Sequence, residues 1–167
     1  MLKSFEKFLE RLMFASRWIL APFYFGLIIS LFFLLVVFIK EIIHFVFNFS
    51  TDETDLILFI LTLIDLSFTG NLLIIVIFSG YENFVSKINV NNHEDKPEWM
   101  GTVDFGGLKL KLVSSIVAIS GIHLLKVFFD LDKYTQEQII LFISIHFTFV
   151  ISGVILAYMD TLISKNK

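Results

Sequence analysis

Four long apolar blocks dominate the chain, and each is interrupted so sparsely that its interruptions can be named. Residues 18–39 form an uncharged run of 22 residues from Trp18 to Ile39. As a helix at 1.5 Å per residue this run is about 33 Å long, enough to cross a hydrocarbon core of roughly 30 Å. Residues 56–79 form a second run of similar length, broken only by Asp65 and by the neutral polar groups Thr62, Ser67, Thr69 and Asn71. The third block, residues 110–129, is uncharged only from Leu112 to Leu125 and reaches membrane length by including Lys126 and Val127-Phe128-Phe129. The fourth, residues 139–159, is interrupted by His146 alone. The pattern predicts an all-α integral membrane bundle of four transmembrane helices, forming a single domain over residues 1–167.

Local signals refine the ends of these blocks. A cleaved signal peptide would have an apolar region of about 7–15 residues ending in small residues, whereas the first block ends Val37-Phe38-Ile39-Lys40-Glu41. Pro22 falls in the first turn of its span, where a missing N–H costs little, so it marks an entry. Gly80 directly follows the second block, where a glycine in the left-handed conformation can close a helix.

Amphipathic stretches flank the spans. Leu2, Phe5, Leu9 and Leu12 recur at three- and four-residue intervals among Lys3, Glu6, Lys7, Glu10 and Arg11, a pattern that suits a helix lying in the membrane interface. A helix packed on the bundle fits the same pattern, and the sequence leaves both open. Tyr81, Phe84, Val85 and Ile88 repeat the pattern opposite Glu82, Asn83 and Lys87, which predicts a second surface helix. From Asn89 to Gly107 the chain turns polar, with Pro97, Trp99 and Gly106-Gly107, so the principal loop is expected at about residues 81–109.

Composition agrees with the pattern and removes several function classes. The chain is 56% hydrophobic with a mean hydropathy of +0.82, above the roughly 45–50% apolar usage of soluble proteins. Net charge is −3 and the basic residues are scattered, so no basic face exists for a row of phosphates and nucleic acid is not an expected partner. With no cysteine, disulfides, thiol nucleophiles and thiolate metal sites are excluded.

The basic residues also predict orientation. Lys3, Lys7, Arg11, Arg17, Lys87, Lys96, Lys109, Lys111, Lys165 and Lys167 fall on one side of the four spans, against Lys40, Lys126 and Lys133 on the other. The positive-inside rule then places both termini and the central loop in the cytoplasm.

Polar residues within the spans are the candidate functional groups, since an ionisable side chain in hydrocarbon is costly and normally faces the bundle interior or a water-filled path. Counting from the outer helix ends, Asp65 lies roughly 14 Å deep, His146 roughly 11 Å and His123 roughly 9 Å. All three share the outer half of the membrane. They can form a pathway for protons or small cations, with Asp65 as acceptor and a histidine titrating near neutral pH, or a structural cluster in which Asp65 is paired with a histidine or protonated. Lys126 is shallower and is expected to extend its ammonium to the interface. Small residues at four-residue spacing, Gly26 and Ser30, Ser114 and Ala118, Gly153 and Ala157, suit close helix packing and self-association into a homo-oligomer. His146 and Gly153, seven apart, share one face.

The remaining motifs carry less. Glu41 and His44 are spaced to interact on a helix continuing beyond the first span. His93-Glu94-Asp95 lacks the His-to-His spacing of a helical metal site and reads as a solvated loop. Gly106-Gly107 has no phosphate-loop context, and no serine lies in a nucleophile elbow. Neither a metal, a cofactor nor enzymatic activity is expected.

Several segments resemble the YqhA family of small bacterial multi-pass inner-membrane proteins. They are Ala15-Ser16-Arg17-Trp18 with Ala21-Pro22, Glu41-Ile42-Ile43-His44, Ser115-Ile116-Val117-Ala118-Ile119-Ser120, Ile122-His123-Leu124-Leu125 and Ile145-His146-Phe147-Thr148-Phe149-Val150. Above all, Phe78-Ser79-Gly80-Tyr81-Glu82-Asn83-Phe84 with Val85-Ser86 carries the resemblance, which runs nearly end to end. It implies a bacterial inner-membrane protein with the lipid bilayer as partner, and it supplies no catalytic residues. The expectation is a self-associating structural or interaction component of the inner membrane, the alternative an oligomeric conduit for protons or small cations.

Overall fold

The structure, a computed structural model, describes residues 2–48, 52–86 and 105–165. Within them the chain is almost entirely helical, with no strand. Helix α1 (Leu2–Ser16) leads through a 3-10 turn (Arg17–Leu20) into α2 (Ala21–Phe47), and α3 (Glu53–Phe84), α4 (Phe105–Phe129) and α5 (Gln136–Lys165) follow. The chain contains four helices long and apolar enough to cross a membrane, and each of the four apolar blocks falls within one of them.

Local chemistry explains the boundaries. At the α1–α2 junction the Ala21 N–H donates to Trp18 O, and Pro22 next to it has no N–H to continue the α-helical ladder. Asp52 caps α3 by accepting from the Thr54 N–H at 3.1 Å, and Glu53 and Asp55 place negative charge in the first turn, where the helix dipole favours it. Thr135 and Gln138 form a reciprocal capping box before α5, with Thr135 N–H to Gln138 Oε1 at 3.0 Å and Gln138 N–H to Thr135 Oγ1 at 3.3 Å.

The long helices pack as a row in chain order, α2 on α3, α3 on α4 and α4 on α5, so α2 and α5 are its edges. Three contacts fix the antiparallel α2–α3 seam. Tyr24 meets Tyr81 edge-to-face with ring centroids 6.0 Å apart, Leu31 and Leu34 close over Gly70, and Phe45 stacks on Phe59 at 3.9 Å. The core is thin: among the described residues the buried hydrophobic side chains are Leu61, Ile77, Val85, Leu108 and Val127, and α2 and α5 contribute none. Phe23, Phe32 and Phe33 on α2 and Ile151, Val154 and Ile155 on α5 are all exposed. Such surfaces are incompatible with water and suit lipid or another apolar partner.

The structure departs from the sequence expectations at several points. Gly80 does not end its helix, since α3 continues to Phe84. Its lack of a side chain serves a close approach instead, because a Cβ there would stand 2.7 Å from Tyr24 Cε1 and 2.8 Å from Tyr24 Oη. The expected second surface helix is therefore the last turn of α3, with Val85 buried as its C-cap; Ile88 lies outside the described residues. Of the loop expected at residues 81–109, residues 81–84 belong to α3 and 105–109 to α4, and residues 87–104 lie outside the described residues. Helix α1 packs on the adjoining 3-10 turn, and its side chains from Phe5 to Ser16 are exposed, so among the described residues it is not packed on the bundle.

Candidate functional site

Two helix seams hold the polar groups of the spans. At the first, α3 presents Asp65 to α4, and Lys126 Nζ donates to Asp65 Oδ2 at 2.7 Å. The two side chains retain 26% and 19% of their surface, so the pair is mostly withdrawn between helices. This corrects both expectations for these residues. Asp65 is paired with Lys126 and not with a histidine, and Lys126 turns inward. The reason is the length of the lysine stem, whose four methylenes reach a neighbouring carboxylate as easily as the interface.

At the second seam α4 presents Ser120 to His146 of α5, with Oγ and Nδ1 2.9 Å apart. Ser120 Oγ also lies 2.9 Å from Val117 O. One hydroxyl hydrogen serves one acceptor: donation to Val117 requires His146 to carry its hydrogen on Nδ1, and donation to Nδ1 places it on Nε2. The imidazole packs on Gly121, where a Cβ would stand in ordinary contact, 3.5 Å from His146 Cε1. One helical face further along, Gly153 sits against Val113, 3.1 Å from Cγ1 to the position of a Cβ. His146 and Gly153 thus do share a face, and that face is turned to α4. Gly153 serves packing within the chain.

His123 sits between the two seams. Its ring meets Phe142 edge-to-face at 5.2 Å, and it lines a cleft of about 340 Å³ with Asp65, Ser120 and Phe142. Asp65 and His123 therefore face one space, and His146 adjoins it through Ser120. Among the described residues, however, no hydrogen bond joins His123 to Asp65 or to Ser120. The groups form two separate interhelical bonds flanking an imidazole.

A second polar space lies where α2, α3 and the α4–α5 connection converge. Glu41, His44, Asn48, Asp55, Thr62 and Lys133 line a cleft of about 510 Å³. Lys133 hydrogen-bonds Asp130 at 2.6 Å, and that bond together with the carboxylate's charge holds the lysine above its usual range. Asn48 caps the end of α2 by donating from Nδ2 to His44 O at 3.0 Å. Among the described residues no group of three or more histidines and carboxylates is placed to hold a metal, and His93-Glu94-Asp95 lies outside them.

The family model of the uncharacterized protein family UPF0114 matches residues 13–128, more than half of the chain. The chain belongs to that family. The UPF0114 match takes in α2, α3 and nearly all of α4, and with them Asp65, Ser120, His123 and Lys126. UPF0114 is the family that the sequence segments pointed to, and the matched region stops before α5 and His146. No solved structure matches this UPF0114 chain. Sequence reasoning underrated Lys126 and missed Ser120; the available signal was the three-residue spacing of Ser120, His123 and Lys126 along one helix.

Proposed function

We propose that this protein is a multi-pass component of a bacterial inner membrane, with both termini in the cytoplasm, that acts by self-association and carries no catalytic activity of its own. The observation that carries this reading is the open row of helices. Among the described residues the edge helices, α2 and α5, each pack on a single long helix, and Gly26 and Ser30 on α2 are exposed, with no described atom within 4 Å of a Cβ at Gly26. Glycine and serine at four-residue spacing let a second helix approach closely in lipid, where packing and not hydrophobicity drives association. Within the unit, Lys126–Asp65 and His146–Ser120 serve as clamps holding α3, α4 and α5 in register.

The absence of cysteine gives a direct test. Ser30→Cys should form disulfide-linked dimers in native membranes under mild oxidation, whereas Leu34→Cys, facing Gly70 within the chain, should not. Monomers alone from Ser30→Cys, under conditions that oxidise a control thiol, would refute self-association through α2.

The shared cleft of Asp65, Ser120 and His123 supports a second reading, an oligomeric conduit for protons or small cations. The ion pair weighs against it, because a carboxylate held by a lysine is not a free acceptor. Liposomes containing oriented protein distinguish the two: a pH 5–8 flux above that of empty liposomes, removed by His123→Phe, would favour the conduit.

A further inference from the structure

Along the α2–α3 seam lies an open apolar cavity of about 520 Å³, within the roughly 300–1,000 Å³ of small-molecule sites. Its walls include Ala21, Tyr24, Ile28 and Leu31 of α2 and Ile74 and Ile77 of α3. From Ala21 to Leu31 it follows ten residues of helix, about 15 Å, which is half of a roughly 30 Å core and so the depth of a single leaflet. The walls change character along that depth. Deep in the seam they are aliphatic. At the mouth stand the rings of Tyr24 and Tyr81, a residue type that keeps an apolar body in lipid and a hydroxyl in the headgroup layer.

A basic turn precedes the mouth in the chain. Arg17 lies in the 3-10 turn that packs against both α2 and α3, four residues before the cavity-lining Ala21. Its guanidinium lies over the Phe14 ring at 5.8 Å. Lys7 and Arg11 of α1 precede it on exposed positions. An apolar slot one leaflet deep, with tyrosines at its mouth and a basic turn next to it in the chain, has the polarity of an anionic amphiphile. We propose that this seam seats one acyl chain of an anionic phospholipid, with its phosphate held at Arg17.

A second copy of the chain is the other candidate occupant. It is disfavoured because Gly26 and Ser30, the positions that admit a close helix, lie on the face of α2 opposite Ile28 and Leu31.

The experiment uses the full-length protein purified in detergent, depleted of lipid and titrated with phosphatidylglycerol or phosphatidylcholine, with bound lipid counted by native mass spectrometry. The parent should retain a single phosphatidylglycerol in preference to phosphatidylcholine. Arg17→Ala should reduce that preference about fivefold, the worth of one basic residue beside an anionic lipid. Ile28→Trp, which fills the slot from an exposed position, should abolish retention, while Phe33→Trp on the opposite face keeps it. Should Ile28→Trp fail to insert, Ile74→Trp fills the slot from the other wall. Retention unchanged by either filling variant would overturn the proposal, as would equal retention of both lipids with no effect of Arg17→Ala. A filling variant that dissociates a self-associated parent without changing bound lipid would assign the seam to a second copy and overturn it equally.

Discussion

Lys126 Nζ lies 2.7 Å from Asp65 Oδ2; Asp65 is the single charge of residues 56–79 and Lys126 that of residues 112–129. The pairing answers how a carboxylate is tolerated in the second span: its charge is cancelled across the α3–α4 seam and not diluted by water. Translocon scales place an aspartate at mid-helix near about +2.5 to +3.5 kcal/mol, and a lysine in the same range, so two isolated charges would impede insertion where a pair need not.

Removing either partner should expose the cost of the other. Asp65→Asn preserves shape but strands the Lys126 ammonium, and should destabilise the protein by roughly 2–3 kcal/mol, below the 3–5 of a fully buried pair because both side chains keep some open surface. Combining Asp65→Leu with Lys126→Met should recover most of the loss. The check is a double-mutant cycle of unfolding in detergent micelles; additive single and double losses would mean that the contact contributes nothing.

Gly80 and Gly26 should respond oppositely to alanine. At Gly80 a Cβ meets the Tyr24 ring at 2.7 Å, and displacing that ring from the α2–α3 seam should cost about 1–3 kcal/mol. At Gly26 a Cβ meets nothing within 4 Å, so Gly26→Ala should be neutral or gain up to about 1 kcal/mol of helix propensity. Thermal melts of the two variants decide this, and Tyr24→Leu in the Gly80→Ala background should restore stability.

Leucine at two glycines separates fold from assembly. Gly153→Leu must force its side chain into Val113 and Val117 of α4, so it should lower the melting temperature of the single chain. Gly26→Leu should leave that temperature unchanged and reduce the cross-linked dimer several-fold. Equal dimer yields from Gly26→Leu and the parent would exclude this face as the contact.

Orientation rests on the ten basic residues that share one side of the spans against three on the other. Reporter fusions after Lys167 and within residues 89–95 should both report cytoplasm. A periplasmic reporter at the C-terminus would mean an odd number of crossings and would remove the third span.

The number and approximate position of the long helices were legible in the sequence because lipid imposes a strict local requirement. A segment that crosses hydrocarbon must satisfy its own backbone, so about twenty apolar residues in a row can be little else than a helix. The start of the first span was legible for the same local reason, at Pro22. The presence of Asp65, His123 and His146 in the spans was equally plain, since each stands out against apolar neighbours.

Tertiary structure alone decided which of these groups meet. A soluble helix declares its inner face by the contrast of apolar and polar residues, but α3, α4 and α5 are apolar nearly all round, and lipid tails are as apolar as leucine, so periodicity cannot say which face turns inward. Gly153 at four-residue spacing from Ala157 looked the same as Gly26 with Ser30, yet one packs on α4 and the other faces outward. Depth along the membrane likewise favoured a histidine for Asp65, and the flexible stem of Lys126 overrode it by reaching across the α3–α4 seam. The sequence by itself determined that the chain lives in a membrane and which polar groups enter it; side-chain reach and the shapes of facing helices, which no local rule encodes, determined how those groups are paired.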